Sequence, residues 1–258
     1  MQKIEEYPYC FHTLSNGIRL VHRYTPSIVS HCGLTIGIGS RDEKLSENGT
    51  AHFVEHCLFK GTSERKAYRI LDCIDGVGGE LNAFTTKEET CVYGLYLQQY
   101  HERFLDLLAD IVFHSTFPEQ AIEKEKEVIL DEINSYMDTP SEQIFDDFEY
   151  RLFGNRGLGR MILGTPDKVK AMTRERLQDF VRANYTTDNM VVSTITSIPA
   201  DKWFAMCEKH LGKEPKTERT NKRTSIGIYK PTYKCIDRDT YQSHIIIGNR
   251  AYSYRNPK

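Results

Sequence analysis

Residues 49–62, GTAHFVEHCLFKGT, carry two histidines four positions apart, with a glutamate directly before the second one. In an α-helix, residues i and i+4 lie on one face about a turn apart, so the imidazoles of His52 and His56 project together. Glu55 borders the same face, from which its carboxylate reaches a water molecule beside the imidazoles. The spacing HxxEH therefore predicts a helical metal site with its own base; a polar helix face that binds no metal is the alternative.

Two neutral imidazoles and one further protein ligand around Zn²⁺ leave an open position for water, which is the arrangement of a catalytic zinc site. The metal lowers the pKa of that water toward about 7, and Glu55 is then placed to take its proton. Candidates for the third ligand lie in residues 121–133, AIEKEKEVILDEI. Glu125 and Glu132 are two helical turns apart and share a face, but spacing alone leaves these two and Asp131 open.

The same acidic segment predicts a long helix with Pro118 near its first turn. The predicted buried side of this helix carries four apolar residues, Ile122, Val128, Ile129 and Ile133. The predicted solvent side carries Glu123, Lys124 and Lys126. A charged run of this kind is usually a solvated face with i,i+4 ion pairs, which is the alternative to a ligand role.

Bulk composition excludes several classes of partner. The net charge of −2 gives no electrostatic attraction to nucleic acid or to an anionic membrane. No apolar run approaches the roughly 20 residues that span a bilayer, and the N-terminus lacks the pattern of a secretory signal. The seven cysteines are odd in number and contain no CxxC pair, so we expect free thiols and a cytoplasmic location.

Hydrophobic periodicity places the main elements around the candidate site. Strands are predicted at 17–24, at 30–40 and on both sides of a polar turn at 87–89. The helix that carries the two histidines is predicted to begin near Thr50, with Thr50 or Asn48 as its cap.

Near the C-terminus the pattern changes. Residues 213–223, KEPKTERTNKR, are charged and lack apolar periodicity, which predicts a linker. Beyond it, residues 241–254, YQSHIIIGNRAYSY, predict a new strand with no partner after it. We therefore expect one domain over 1–222 and, over 223–258, a linker with the opening strand of a second, incomplete unit.

Five segments in this order resemble the insulinase and mitochondrial processing peptidase family of zinc metallopeptidases, the pitrilysin-type inverzincins. They are GIGSRDEKLSENGTAHFVEHCLFKGT (37–62), GGELNAFTTKEETCVY (78–93), AIEKEKEVILDEI (121–133), RMILGT (160–165) and NYTTDNMVVS (184–193). An ordered set of this length is far more specific than HxxEH alone.

The resemblance implies a particular ligand set. In that family the third zinc ligand is a glutamate about 76 residues after the second histidine, and Glu132 stands 76 residues after His56. A glutamate seven residues earlier supports the histidines from behind, which maps to Glu125. Glu88 is expected to be a similar partner, because such carboxylates fix the tautomer and orientation of a ligating imidazole.

The resemblance also implies the fold and the way substrate is held. Each half of such an enzyme is an α+β unit, a mixed β-sheet covered by helices, and two homologous halves close like a clamshell. Extended peptides add a strand to a sheet edge, which here maps to Asn82, Ala83, Phe84 and Thr85. The alternative is an interior strand with Phe84 in the core.

The expected function is zinc-dependent hydrolysis of extended peptides by an endopeptidase, with Glu55 as general base. In the family the second half supplies an arginine and a tyrosine that hold substrate and stabilise the oxyanion. No residue here matches that pair, so we expect this chain to bind zinc but to cleave peptides poorly without a second half, from the same or another chain. The expected partners are this half and a peptide.

Two other functions are weighed against this one. The family includes non-catalytic subunits that bind peptides or serve as scaffolds, typically with an eroded zinc motif, whereas the four motif residues are intact here. The S-ribosylhomocysteine lyases also use HxxEH on a related half-fold, with a cysteine ligand in place of the distant glutamate. Cys57 beside His56 is predicted to point to a different helix face and to pack as a thiol.

Overall fold

The computed structural model describes residues 7–223, 226–238 and 240–253. Six strands form one sheet in the order β1-β2-β6-β3-β5-β4. The strands are β1 (Tyr9–Thr13), β2 (Arg19–Tyr24), β3 (Val29–Ile36), β4 (Glu80–Thr85), β5 (Thr90–Leu97) and β6 (Met190–Thr196). The helices are α1 (Thr50–Leu58), α2 (Ala67–Asp75), α3 (His101–His114), α4 (Glu119–Met137), α5 (Pro140–Phe153), α6 (Pro166–Lys170), α7 (Arg174–Asn184) and α8 (Ala200–His210).

The sheet is mixed, because β2 and β6 run parallel while the other neighbours run antiparallel. Helices cover it: α8 packs on β2, α3 on β5 and α1 on β4. One core joins the sheet to these helices, and its residues include Leu20, Leu34, Val92, Phe104, Val192 and Trp203. The expected α+β fold with a mixed sheet covered by helices is therefore confirmed.

The N-terminus of α1 is built differently from the prediction. Gly49, with φ of 94°, stands at the cap position and supplies no side-chain acceptor. The acceptor comes instead from Glu43, whose carboxylate accepts hydrogen bonds from the backbone N–H of Gly49 at 3.0 Å and of Ala51 at 2.8 Å. The prediction of Thr50 or Asn48 as the cap is wrong, because Gly49 holds that position and no side-chain cap bond is formed. Thr50 instead donates to the Glu47 carbonyl, and Asn48 donates to the Glu43 carboxylate and to the Met161 carbonyl.

Helix α4 buries a narrower face than predicted. Its buried residues are Ile122, Glu125, Ile129 and Ile133. Val128 was expected on this side but is 49% exposed, because the stripe in contact with α1, α5 and α6 follows a spacing of three to four residues that passes it by. Glu123 and Lys124 are exposed as predicted, whereas Lys126 is half-buried and pairs with Glu123 at 2.7 Å.

The predicted linker is docked on the domain. The backbone N–H groups of Thr187 and Thr217 each donate to the other residue's hydroxyl at 2.9 Å. Two arginines then grip the buried carboxylate of Asp42, Arg219 at 2.8 Å and Arg223 at 2.9 Å. The segment is irregular as predicted, and polar contacts hold it against the domain.

The region that follows shows no strand in residues 226–238 and 240–253. The strand expected over 241–254 is therefore not formed in its described part. A strand needs a neighbour for its backbone N–H and C=O groups, and the described residues place none beside it. Residues 224, 225, 239 and 254–258 of the predicted second unit lie outside the described residues.

In the described parts of the chain, no helix has the length and apolarity to cross a bilayer.

A buried polar network under α8 involves His101, which is not one of the two histidines of the HxxEH motif. His101 Nε2 lies 3.1 Å from the Thr196 hydroxyl, and Nδ1 lies 3.3 Å from the hydroxyl of Tyr96. Burial lowers the pKa of His101 from 6.5 to about 4. The ring is therefore neutral in the folded chain at pH values where the unfolded chain protonates it.

We expect His101→Gln to reduce the fall in the free energy of unfolding at acid pH. In the wild type, the contribution of His101 to that free energy is present above pH 6.5. It is lost as pH falls toward the folded pKa of about 4, since the unfolded state binds the proton first. One proton corresponds to a slope of at most about 1.4 kcal/mol per pH unit. Urea unfolding between these pH values measures it; an unchanged slope in the variant would contradict the assignment.

Candidate metal centre

Helices α1 and α4 bring three side chains of distant sequence position together. His52 Nε2 lies 3.7 Å from Glu132 Oε2, and His56 Nε2 lies 3.5 Å from the same oxygen. The two imidazole rings stand 4.6 Å apart between centroids, at an interplanar angle of 65°. One ligand atom from each of the three residues lies within 4.8 Å of the others. Of the three candidates from spacing, Glu132 is the one that joins both histidines.

The donor set fits a divalent ion such as zinc. Two ligands held at about 2.1 Å from a tetrahedral ion lie roughly 3.4 Å from each other. The separations of 3.5 and 3.7 Å to the Glu132 oxygen are close to that value. They are also longer than the usual 2.7–3.2 Å of an N–H···O hydrogen bond. Two imidazole nitrogens and one carboxylate oxygen are ordinary zinc ligands, so these three residues match a zinc ion in chemistry and spacing.

The electrostatics of the cluster favour a cation. Burial and the neighbouring His56 lower the pKa of His52, which keeps its ring neutral and ready to bind a metal. Burial lowers the pKa of His56 as well, but contacts with Glu132 and Glu125 outweigh it and raise that pKa. Contact with His56 lowers the pKa of Glu132. Glu132 is thus favoured as a carboxylate, which attracts positive charge.

Glu125 supports His56 from behind. Its Oε2 lies 3.1 Å from His56 Nδ1, and its Oε1 lies 2.7 Å from Lys60 Nζ. In the neutral ring, the Nδ1–H group donates a hydrogen bond to this carboxylate. The lone pair of Nε2 then faces Glu132. Lys60 is a contact that the sequence analysis missed; it lies two residues beyond the end of α1, four positions after His56, and that spacing was the available signal.

Glu88 does not reach either histidine. Its carboxylate pairs with Arg41 and, at 3.0 Å, with Arg223. The prediction that Glu88 supports a ligand is therefore wrong. It lies in the turn after β4, and two arginines that sequence patterns could not place draw it to the linker side of the turn.

Glu55 lies half-buried on α1, one turn from His52. Burial raises its pKa, whereas the Thr85 hydroxyl beside it lowers it by a smaller amount. That hydroxyl is buried and has no hydrogen-bond partner among the described residues. A carboxylate with a raised pKa is a stronger base than an exposed one, which suits proton transfer near neutral pH.

Strand β4 forms one edge of the sheet. It pairs with β5 from Glu80 to Thr85, and no strand of the described residues pairs with its other side. Asn82 and Phe84 point to one face of the sheet, while Ala83 and Thr85 point to the other, where α1 packs. Phe84 is 42% exposed and its ring lies 5.9 Å from Tyr93, so the alternative of a core phenylalanine is wrong.

Cys57 lies in the apolar core beneath α1. Burial raises the pKa of its thiol to about 12, so the thiolate that binds metals is disfavoured. The sulfur is also absent from the cluster of ligand atoms found among the described residues. The prediction of a packed thiol agrees with this position.

Two family profiles match this chain. Residues 19–166 match the sequence profile described as insulinase (peptidase family M16). Residues 171–258 match the profile described as peptidase M16 inactive domain. The first match contains the whole cluster, and the second begins before α7, which packs against α1.

Curated relatives align with nearly all of this chain. An uncharacterized zinc protease of Mycobacterium leprae is 39% identical over 94% of this chain and 56% of its own length. The uncharacterized zinc protease YmxG of Bacillus subtilis is 37% identical over 92% and 58%. The beta subunit of the mitochondrial-processing peptidase of Saccharomyces cerevisiae is 35% identical over 95% and 54%. The chain thus spans about half the length of the curated relatives it matches.

Solved structures share the fold. Pitrilysin superposes with a TM-score of 0.80 at 17% identity, over 88% of this chain and 25% of its own. A protease from Helicobacter pylori gives 0.77 at 21% identity, over 87% and 54%. The sheet with its helices is therefore the architecture of an M16 peptidase domain, and the chain belongs to the insulinase family, peptidase family M16.

We expect zinc affinity to separate the ligand set from its neighbours. Glu132→Ala removes the oxygen shared by both histidines and is expected to weaken zinc binding by at least about 100-fold, since a catalytic site needs three protein ligands. Asp131→Ala, the adjacent exposed carboxylate, is the matched control and is expected to bind as the wild type does.

The same measurement tests Cys57. Competition against a chromogenic chelator is expected to give Cys57→Ala the zinc affinity of the wild type, because the buried thiol lies outside the cluster. Loss of zinc in Cys57→Ala together with retention in Glu132→Ala would favour the ligand set of the lyases instead.

Proposed function

We propose that this chain is the metal-binding half of a zinc-dependent metalloendopeptidase that hydrolyses extended peptides. His52, His56 and Glu132 are the metal ligands, Glu125 orients His56, and Glu55 is the general base. The observation that carries the proposal is the approach of Glu132 to both imidazole nitrogens, at 3.7 and 3.5 Å. Membership of a family whose curated relatives are named zinc proteases supports it.

The chain's own residues provide the proton transfer. Zinc in such a site supplies Lewis-acid polarisation of a carbonyl and makes water acidic enough to be deprotonated near neutral pH. Glu55 takes a proton from the attacking water and returns it to the nitrogen of the leaving amine. Its raised pKa, caused by burial, brings the carboxylate closer to the pH at which it must both accept and donate.

The substrate lies along β4. Backbone groups on the unpaired side of an edge strand hydrogen-bond an extended peptide with little regard to its sequence. Asn82, Ala83, Phe84 and Thr85 form this edge, and Thr85 lies beside Glu55. A peptide added here places a backbone carbonyl close to the helix that carries the base. Side-chain preference then depends on the pockets on both faces of the sheet.

Efficient turnover requires a second homologous half. This chain corresponds to about half the length of its curated relatives, namely 54–58% of the proteins from Mycobacterium leprae, Bacillus subtilis and Saccharomyces cerevisiae. Donors aimed at the developing oxyanion change rates by about 10²–10³ each, so a half without them binds zinc but cleaves slowly.

We place the domain boundary at 222, with the start of a further unit in residues 223–258. We place the protein in the cytoplasm.

A non-catalytic scaffold is the competing function, and intact metal and base residues weigh against it. A scaffold has no requirement for stoichiometric zinc. Metal analysis of the purified chain is expected to give one zinc per chain, and absence of stoichiometric zinc would favour the scaffold.

We expect Glu55→Gln to separate metal binding from catalysis. Glutamine keeps the size of the side chain but takes up no proton, so peptide hydrolysis should fall by at least about 100-fold in a preparation that includes the second half. Zinc content should remain that of the wild type, because Glu55 is outside the cluster of ligand atoms.

Glu64→Gln is the matched control, since this glutamate is exposed and contacts Arg65 at 3.5 Å. It is expected to keep both zinc and turnover. Retained peptide hydrolysis in Glu55→Gln would remove Glu55 from the role of base.

A further inference from the structure

Glu43 is a buried acidic residue that the proposed chemistry does not use. It is 5% exposed, and both of its carboxylate oxygens accept hydrogen bonds. Oε1 accepts the backbone N–H of Ala51 at 2.8 Å, and Oε2 accepts the backbone N–H of Gly49 and the Asn48 side chain, each at 3.0 Å. Ala51 directly precedes the ligand His52. A side chain seven residues upstream of helix α1 therefore holds its first turn.

A second segment closes around the same residue. The Arg160 guanidinium donates to the Glu43 carbonyl at 2.6 Å, and Asn48 donates to the Met161 carbonyl at 3.0 Å. Gly49 has φ of 94°, and a Cβ on it would lie 2.8 Å from the Leu163 carbonyl oxygen. The loop at 160–164 thus packs closely against the chain that enters α1, and the Glu43 backbone is part of that contact.

Helix α1 depends on such outside contacts for its orientation. It has nine residues, which is too short for a stable helix in isolation. Gly49 at the cap position offers no side-chain cap. Glu43 instead accepts hydrogen bonds from the backbone N–H groups of Gly49 and Ala51, which have no intrahelical partner. Rotation of so short a helix by a few degrees moves its side chains relative to α4.

We propose that Glu43 is a positioning residue of the metal centre: its carboxylate fixes the first turn of α1 and so sets where the His52 and His56 rings stand relative to Glu132. This inference rests on the proposed function, because it concerns the same metal site. It adds a residue that neither HxxEH nor the acidic helix contains. Glu43 contacts neither the His52 ring nor the His56 ring, and it acts through the helix backbone.

The test compares zinc affinity with stability. Glu43→Gln keeps the shape of the side chain but turns an NH₂ group toward a backbone N–H, so one donor faces another. By analogy with residues that orient metal ligands, we expect a loss of zinc affinity of about 10–100-fold, measured on the whole chain by chelator competition. Substituting Co²⁺ for Zn²⁺ adds a spectroscopic readout, because its visible bands are expected to shift when the ligands are displaced.

Two controls separate positioning from general destabilisation. Glu47→Gln makes the same change in the same loop, on a residue that pairs with Lys44 at 3.2 Å, and is expected to leave zinc affinity and the Co²⁺ spectrum unchanged. Leu20→Ala opens the core on β2, toward the opposite edge of the sheet, and is expected to lower the unfolding midpoint without altering either.

Wild-type zinc affinity in Glu43→Gln, or an equal loss in Leu20→Ala, would overturn the inference. Should Glu43→Gln fail to fold, Glu43→Asp keeps the carboxyl group on a shorter side chain and is expected to show a smaller loss; wild-type affinity in that variant would overturn the inference instead. If the wild-type chain itself bound no zinc, the proposed function would fail first and this inference with it.

Discussion

The approach of one carboxylate oxygen to two imidazole nitrogens is the constraint around which this domain is organised. Bringing two histidines and a glutamate within 4.8 Å removes part of the water around each of them. Buried polar groups without partners cost free energy, and His52 Nδ1 has no hydrogen-bond partner in the described residues. Packing beneath the site offsets this cost: α1 buries Phe53, Val54, Cys57 and Leu58, and α4 buries three isoleucines. A divalent cation would then use the nitrogen and oxygen lone pairs that the fold has gathered.

The order of strands places the candidate substrate edge beside that constraint. Because β4 is at one end of the sheet and α1 packs on it, the helix that carries Glu55 borders a strand with an unpaired side. An exposed edge is a liability for a soluble domain, since it invites pairing with any extended chain. Here its position beside Glu55 is what the proposed peptide-binding role requires. The same geometry explains why Phe84 is exposed, because its side of the sheet faces away from α1.

Sequence reasoning predicted local periodicity well and long-range polar contacts poorly. The spacing of His52 and His56 fixed their common helix face, and the acidic helix formed as expected. Spacing alone could not choose Glu132 over Asp131, because the choice depends on how α4 is rotated against α1; family resemblance supplied that information. Glu88 failed as a predicted partner for the same kind of reason. Its position next to arginines from residues 41 and 223 is a tertiary property that no local pattern encodes.

The docked segment shows why a domain boundary is difficult to read from composition. Residues 213–223 are charged and aperiodic, yet Thr217, Arg219 and Arg223 fasten them to Thr187 and Asp42, in the segments that flank the strands. Arg223 also donates to the Glu88 carbonyl at 2.6 Å, in the turn that joins β4 to β5. Individually, ion pairs at an exposed surface contribute roughly 0–1 kcal/mol, but the Asp42 carboxylate is buried and shared by two arginines, which makes its loss more costly. The chain beyond residue 223 therefore starts from a fixed point next to the end of the candidate substrate strand, rather than from the end of a free tether.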